Sequence, residues 1–314
     1  MATDLDPQIA AWLRAYPAPH VDPYDVPAVR ALAAQYMADR GGPAPRWPRA
    51  DVTLTSAQVG GVDVLVWSPV EVTTSPVVVA LHGGAFVVGS ALGAERIAMP
   101  LAADHGIVTV SVEYRLAPEH RFPAALDDVI AVLTHLDEIA QADPTRVAVH
   151  GSSAGGALAA AAALWARDHD TPLLLQSLTC PALDHRAPMD VDPQHSMAGY
   201  SPTLSRTEVA AMWQHYLGAS PPTPYAVPAL AVDLTGLAPA HITVAEYDVL
   251  RDEALAYAER LSAAGVPVDV DLVPGTVHGF DGLLAESDVA TRAIDRQVAS
   301  LARALKGERE ASGR

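Results

Sequence analysis

Three short runs, Val77–Leu81, Ile107–Val112 and Arg146–Val149, constrain the fold of this chain more than any other feature in it. Each is β-branched and nearly continuously apolar. A strand with one face in water alternates apolar and polar residues, so runs of this kind read as strands buried on both faces. Helical patterns lie between them, at Ala94–Ala103 and Pro123–Ile139. The alternation resumes with strand-like Leu173–Thr179, Ile242–Ala245 and Val268–Val273, and helix-like Asp252–Ala263 and Val289–Leu305. Strands alternating with amphipathic helices predict an α/β fold with a parallel sheet and right-handed crossovers. Upstream, Asp51–Gln58 and Val62–Trp67 meet at Gly60-Gly61 and read as an antiparallel hairpin. The expected sheet therefore has eight strands and is mostly parallel.

Two regions fall outside this rhythm. The first 45 residues or so hold two short helical patterns, Pro7–Tyr16 and Val26–Arg40, split by a Pro-rich stretch and ended by Gly41-Gly42-Pro43. Residues 185–228 run to Pro, Met, Tyr and Trp with one amphipathic piece, Thr207–Leu217. Both are expected to form a helical cap over the carboxyl ends of the strands of a single domain, 1–314. Half of the 314 residues are hydrophobic, ample for one core of that size. The net charge of −17 argues against nucleic acid and anionic lipid as partners. Cys180 is the only cysteine, so no intrachain disulfide can form, and its apolar setting predicts a packing role. The N-terminal stretch begins acidic and lacks the apolar core of a signal peptide, and no apolar run reaches membrane-spanning length. A cytoplasmic protein is expected.

The chemistry starts at Gly151-Ser152-Ser153-Ala154-Gly155-Gly156, which follows the strand RVAVH and opens an Ala-rich helix. A G-x-S-x-G between strand and helix is a nucleophile elbow. The turn is sharp enough to strain the serine backbone, and side chains at the flanking positions would strike neighbouring strands. The helix that follows aims its N-terminal amides at the serine, where negative charge develops. A second glycine motif, LHGGAF, lies where the strand Val77–Leu81 runs out into a loop. Gly83, Gly84 and Ala85 there, with Ala154 after the serine, are candidate backbone donors for an oxyanion. His82 ends the strand and is expected to fix the loop by hydrogen bonding.

A serine nucleophile needs a base, and the base needs an orienting carboxylate. Of 12 histidines, His278 follows the last expected strand, beside Gly279. Asp248 ends the strand before it, whereas Asp252 and Glu253 read as residues of a helix first turn. The order Ser153, Asp248, His278 is the order such a fold requires. A single acyl-transfer site results, and no metal-ligand spacing or cofactor motif accompanies it.

With these residues the chain resembles the hormone-sensitive-lipase-like esterases of the α/β-hydrolase superfamily. YRLAPEHRFPAALDD at 114–128, DLTGLAPAHITVAEYDVLRDEALAYAERLSAAGVPV at 233–268 and HGF at 278–280 carry the resemblance alongside the two glycine motifs. It implies Ser153, Asp248 and His278 as catalytic triad, the HGG glycines and Ala154 as oxyanion hole, and a cap that shapes the pocket. It also implies a serine carboxylesterase acting on small, short-chain esters without a cofactor, as a monomer or homodimer. The same triad would serve an amidase, a lactonase or a sugar-ester deacetylase, and a non-catalytic hormone receptor shares the fold but lacks the histidine. Three positions depart from the family pattern: Ala85 stands for a third glycine, Ser152 for the usual Asp or Thr, and Val249 for the usual Pro.

Overall fold

The structure is a computed structural model that describes residues 4–16, 21–39, 48–186 and 201–307. Its centre is one eight-stranded sheet. In chain order the strands are β1 (Val52–Val59), β2 (Val62–Pro69), β3 (Ser75–Leu81), β4 (Val108–Val112), β5 (Ala142–Ser152), β6 (Leu175–Thr179), β7 (Ala240–Tyr247) and β8 (Val268–Val277). Across the sheet they lie in the order β1-β2-β4-β3-β5-β6-β7-β8. β2 pairs antiparallel with both β1 and β4, and every other pairing is parallel.

Nine helices accompany it among the described residues: α1 (Pro7–Ala15), α2 (Val26–Asp39), α3 (Glu95–His105), α4 (Ala124–Thr134), α5 (Ala154–Asp168), α6 (Arg206–Leu217), α7 (Arg251–Ala263), α8 (Phe280–Leu283) and α9 (Asp288–Lys306). The pleat explains the layers. Val77 and Val79 of β3 point to the side covered by α4, α5 and α7, and Val78 points to the side covered by α3 and α9. All three are fully buried, which is why the run shows no alternation. Each such side chain withdrawn from water contributes roughly 1.5–3 kcal/mol. Along α9 the buried positions Val289, Ala293, Val298, Leu301 and Leu305 recur at helical spacing and face the sheet.

The expected elements appear with boundaries moved by a few residues, apart from one helix. The Pro123–Ile139 pattern breaks into α4 and a short 3-10 turn at Leu136–Glu138. Thr134 Oγ1 bonds the carbonyls of Ile130 and Ala131, and the His135 ring also meets the Ala131 carbonyl. These side chains end the helix locally. Gly41-Gly42-Pro43 and residues 187–200 of the expected cap lie outside the described residues. No described helix is long and apolar enough to cross a membrane.

The strand order positions the site. From β3 the chain crosses to β4 on one side, and from β5 onward it builds the other side. The crevice at such a switch point opens beyond the carboxyl ends of the strands. Leu81 and Gly151 are paired at those ends, so the LHGGAF loop and Ser153 emerge side by side.

Candidate active site

Ser153 occupies a one-residue turn between β5 and α5. Its backbone sits at φ 55°, ψ −117°, a conformation that costs on the order of 1–3 kcal/mol and persists only when its surroundings impose it. Here they do. Ser153 N–H donates to the Thr179 carbonyl at 2.8 Å, and the Ser153 carbonyl accepts from Ala182 N–H at 3.1 Å. Gly155 presses the start of α5 against the end of β3, where a Cβ would overlap the carbonyl oxygens of Leu81 and His82.

His278 follows β8, and Asp248 follows β7. The Ser153 hydroxyl meets His278 Nε2 at 3.0 Å, and His278 Nδ1 meets an Asp248 carboxylate oxygen at 2.7 Å. Asp248 is 1 % exposed, and its second oxygen accepts from Leu250 N–H at 2.9 Å. The three residues named by strand-end position therefore form one hydrogen-bonded line. Burial pulls the His278 imidazole down, but the Asp248 carboxylate, with Asp281 and Glu208 further off, outweighs it and leaves its pKa above the usual 6.5. The His278 loop is braced from two sides. Thr203 Oγ1 donates to the His278 carbonyl at 2.9 Å, and Asp6 N–H, just ahead of α1, donates to the Gly275 carbonyl at 2.9 Å.

The loop after β3 runs in unusual backbone. Gly84, Ala85 and Phe86 all have positive φ, at 125°, 54° and 61°. Gly84 has the space to turn in this way, whereas Ala85 takes the left-handed region at a cost of roughly 1–2 kcal/mol. Val87 and Val88 N–H both donate to the Gly84 carbonyl. Among the described residues, nothing accepts the N–H groups of Gly83, Gly84 or Ala85. Gly83 lies against Ser152 and Ser153. Ala154 N–H is the first of α5, and first-turn amides have no intrahelical partner.

His82 is the loop-fixing residue expected of it. Its Nδ1–H donates to the Gly83 carbonyl at 2.8 Å, its ring stacks on Tyr114 at 4.1 Å, and the Tyr114 hydroxyl donates to the His82 carbonyl at 2.7 Å. Burial holds its pKa down to about 4.

Glu253 lies in the first turn of α7, as expected, but the dipole does not account for it alone. It is buried, and its Oε1 accepts N–H groups from Leu183 and Asp184 on the segment leaving β6. Burial pushes its carboxyl well above the ordinary range. The sequence places Glu253 on α7 but offers no signal of what it meets, because Leu183 is 70 residues away. Asp252 pairs with its neighbour Arg251 at 2.9 Å.

Among the described residues, one group brings enough donor atoms together to hold a metal ion: Cys180, Asp248 and His278. Two of these are already bonded to each other, and burial pushes the Cys180 thiol up, away from the thiolate a metal prefers.

Residues 78–282 match the family described as the alpha/beta hydrolase fold. A carboxylesterase of Mycobacterium tuberculosis, NlhH, is 39 % identical over 248 residues, 76 % of this chain and 77 % of that protein. The ethyl acetate hydrolase of Pseudomonas putida is 34 % identical over 74 % of this chain and 75 % of its own length. Among solved structures, a bacterial heroin esterase superposes with a TM-score of 0.87 at 34 % identity, covering 96 % of this chain and 98 % of that one.

Proposed function

We propose a mechanism from the premise that this chain belongs to the α/β-hydrolase family, in its hormone-sensitive-lipase-like branch, and is a carboxylic ester hydrolase. Ser153, Asp248 and His278 are its catalytic triad, and short-chain esters of small molecules are its substrates. The observation that carries this reading is the unbroken line from the Ser153 hydroxyl through His278 to the buried Asp248.

His278 Nε2 takes the hydroxyl proton as Ser153 Oγ attacks the ester carbonyl carbon. Asp248 keeps the imidazole in the tautomer that leaves Nε2 free, and stabilises the imidazolium once it forms. The carbonyl oxygen gains negative charge in the tetrahedral intermediate. The N–H groups of Gly83, Gly84, Ala85 and Ala154 are its oxyanion hole, each donor lowering the barrier by roughly 2.7–4 kcal/mol. The imidazolium then returns its proton to the leaving alkoxide, and an alcohol departs from an acyl-enzyme. Water repeats the sequence: His278 removes its proton, hydroxide adds to the acyl carbon, and Ser153 leaves protonated with release of the acid. One chain supplies every group.

The short-acyl reading follows from the family resemblance, and an apolar aromatic cluster packs beside the loop. Phe86 stacks on Tyr216 at 3.8 Å, Trp213 packs against both, and all three rings are buried. The ethyl acetate hydrolase among the relatives supports the same reading.

A panel of p-nitrophenyl esters from acetate to palmitate, with amides, lactones and acetylated sugars beside it, tests both parts. Activity should peak at acetate to hexanoate, and Ser153→Ala should lower kcat on the short esters by about 10⁶-fold. Retention of activity by that variant would sink the nucleophile, and a maximum on amides or acetylated sugars would replace the substrate class.

A further inference from the structure

We propose that Arg30, on α2, is a positioning residue for the oxyanion loop. It deepens the preceding reading and rests on the LHGGAF amides being the oxyanion donors. The guanidinium reaches out of α2 to three partners. Nε donates to the Val87 carbonyl at 3.0 Å, and Nη2 donates to the Ala117 carbonyl at 3.1 Å. Nη1 and Nη2 also grip Glu119 two-pronged, at 2.8 and 2.7 Å. Ala117 N–H in turn donates to the Phe86 carbonyl at 2.9 Å. Two successive carbonyls of the loop, Phe86 and Val87, are thus held by one assembly that joins α2, residues 117–119 and the loop.

The loop needs such an assembly. Three consecutive residues have positive φ, and two of them, Ala85 and Phe86, carry side chains that disfavour it. A peptide plane turns as a unit, so holding the Phe86 and Val87 carbonyls holds the Val87 and Val88 N–H groups; both donate to the Gly84 carbonyl, whose own plane carries the Ala85 N–H. The internal ties, Val87 and Val88 N–H to the Gly84 carbonyl, close the turn but do not orient it toward Ser153. Arg30 provides the orientation. The planar fork suits the task because a guanidinium can hold a carboxylate and a carbonyl at once, which the single ammonium of lysine does poorly. Glu119 is held ionised by it, its pKa lowered to about 2 chiefly by the Arg30 hydrogen bonds.

Positioning predicts a specific kinetic signature. The amides act when charge has moved onto the oxygen, so misdirecting them slows the chemical step more than it weakens substrate binding. Arg30→Ala and Arg30→Lys should lower kcat by about 10- to 100-fold while KM changes less than about threefold. Inhibition by a trifluoromethyl ketone, which forms an oxyanion on Ser153, should weaken by the same factor as kcat. Millimolar guanidinium should restore part of the Arg30→Ala loss, and Glu119→Gln should show a smaller loss of the same pattern. Wild-type kcat and ketone affinity in folded Arg30→Lys would overturn the proposal, as would a loss confined to KM. If Arg30→Ala does not fold, Arg30→Lys and Glu119→Gln decide the matter. Ser153→Ala separates the two readings: its activity tests the triad, while the Arg30 variants test only how the oxyanion loop is held.

Discussion

Two histidines flank Ser153, and their surroundings drive them in opposite directions. His278 gives one nitrogen to the Ser153 hydroxyl and the other to a buried carboxylate, and its pKa rises above 6.5. His82 gives its Nδ1–H to a neighbouring carbonyl, lies flat on Tyr114, and titrates at about 4. His82 is buried and His278 largely so; the difference is the counter-charge. A buried imidazole with a carboxylate partner holds a proton readily, as a base must at the moment of attack. Without that partner, burial keeps the imidazole neutral, and it serves as a rigid bracket under the LHGGAF loop. Ring chemistry alone does not set the role of an imidazole at this site.

The comparison breaks most directly at the carboxylate. Asp248→Asn should lower kcat by about 10⁴-fold, because the amide no longer selects the tautomer with Nε2 free. Asp252→Asn should change it little, since Asp252 pairs with Arg251 and is not part of the line from Ser153 through His278 to Asp248. The pH profile carries the sign. Catalysis needs neutral His278, so kcat/KM should fall as pH drops through a pKa above 6.5. In Asp248→Asn that limb should move to lower pH, because burial is then opposed only by the weaker pull of Asp281 and Glu208. A limb that stays in place would mean that another group titrates.

Replacing His82 should give a smaller effect of another kind. His82→Phe keeps the stacking on Tyr114 but removes the bond to the Gly83 carbonyl, a buried loss of about 1–3 kcal/mol in stability. The acid limb of kcat/KM should not move. Linkage adds a second readout. His82 has a folded pKa of about 4, below its unfolded value near 6.5, so the unfolded chain binds more protons between those limits. Stability is then lost as pH falls from 6.5 toward 4, and the variant should lose less of it over that window. His150, buried in β5 with a pKa of about 4, adds to the same acid sensitivity and remains in the variant. Denaturant melts at pH 7 and pH 5 measure the difference; equal slopes in both proteins would remove His82 from the account.

This division of roles was partly legible in the sequence. Strand periodicity located the carboxyl ends, and the strand ends selected Ser153, Asp248 and His278 from many residues of the same types. The same logic assigned His82 to the loop. What sequence could not supply were the partners that come from afar. Arg30 meets Val87 across 57 residues, Thr203 meets the His278 carbonyl across 75, and Glu253 meets Leu183 across 70. Each is a side chain bonding an irregular backbone segment, and neither end carries a periodic signature. Glu253 shows the limit well: an acid in a helix first turn is ordinarily explained by the dipole, and only the packed chain reveals that this one is buried.

Ala85 is where the loop bracketed by His82 is least matched to its sequence, and it yields the smallest effect. The family pattern has glycine there, and the structure holds Ala85 at φ 54°. Ala85→Gly removes roughly 1–2 kcal/mol of left-handed strain from the folded state. It also adds about 0.5–1 kcal/mol of chain entropy to the unfolded state, which opposes the gain. The net stabilisation should be under about 1.5 kcal/mol. Because Arg30 and His82 still anchor the loop on either side, its amides should keep their direction and kcat should change less than about threefold. A tenfold fall in kcat without loss of stability would mean that the Ala85 methyl itself holds the oxyanion amides in line, a duty the present geometry gives to Arg30 and His82.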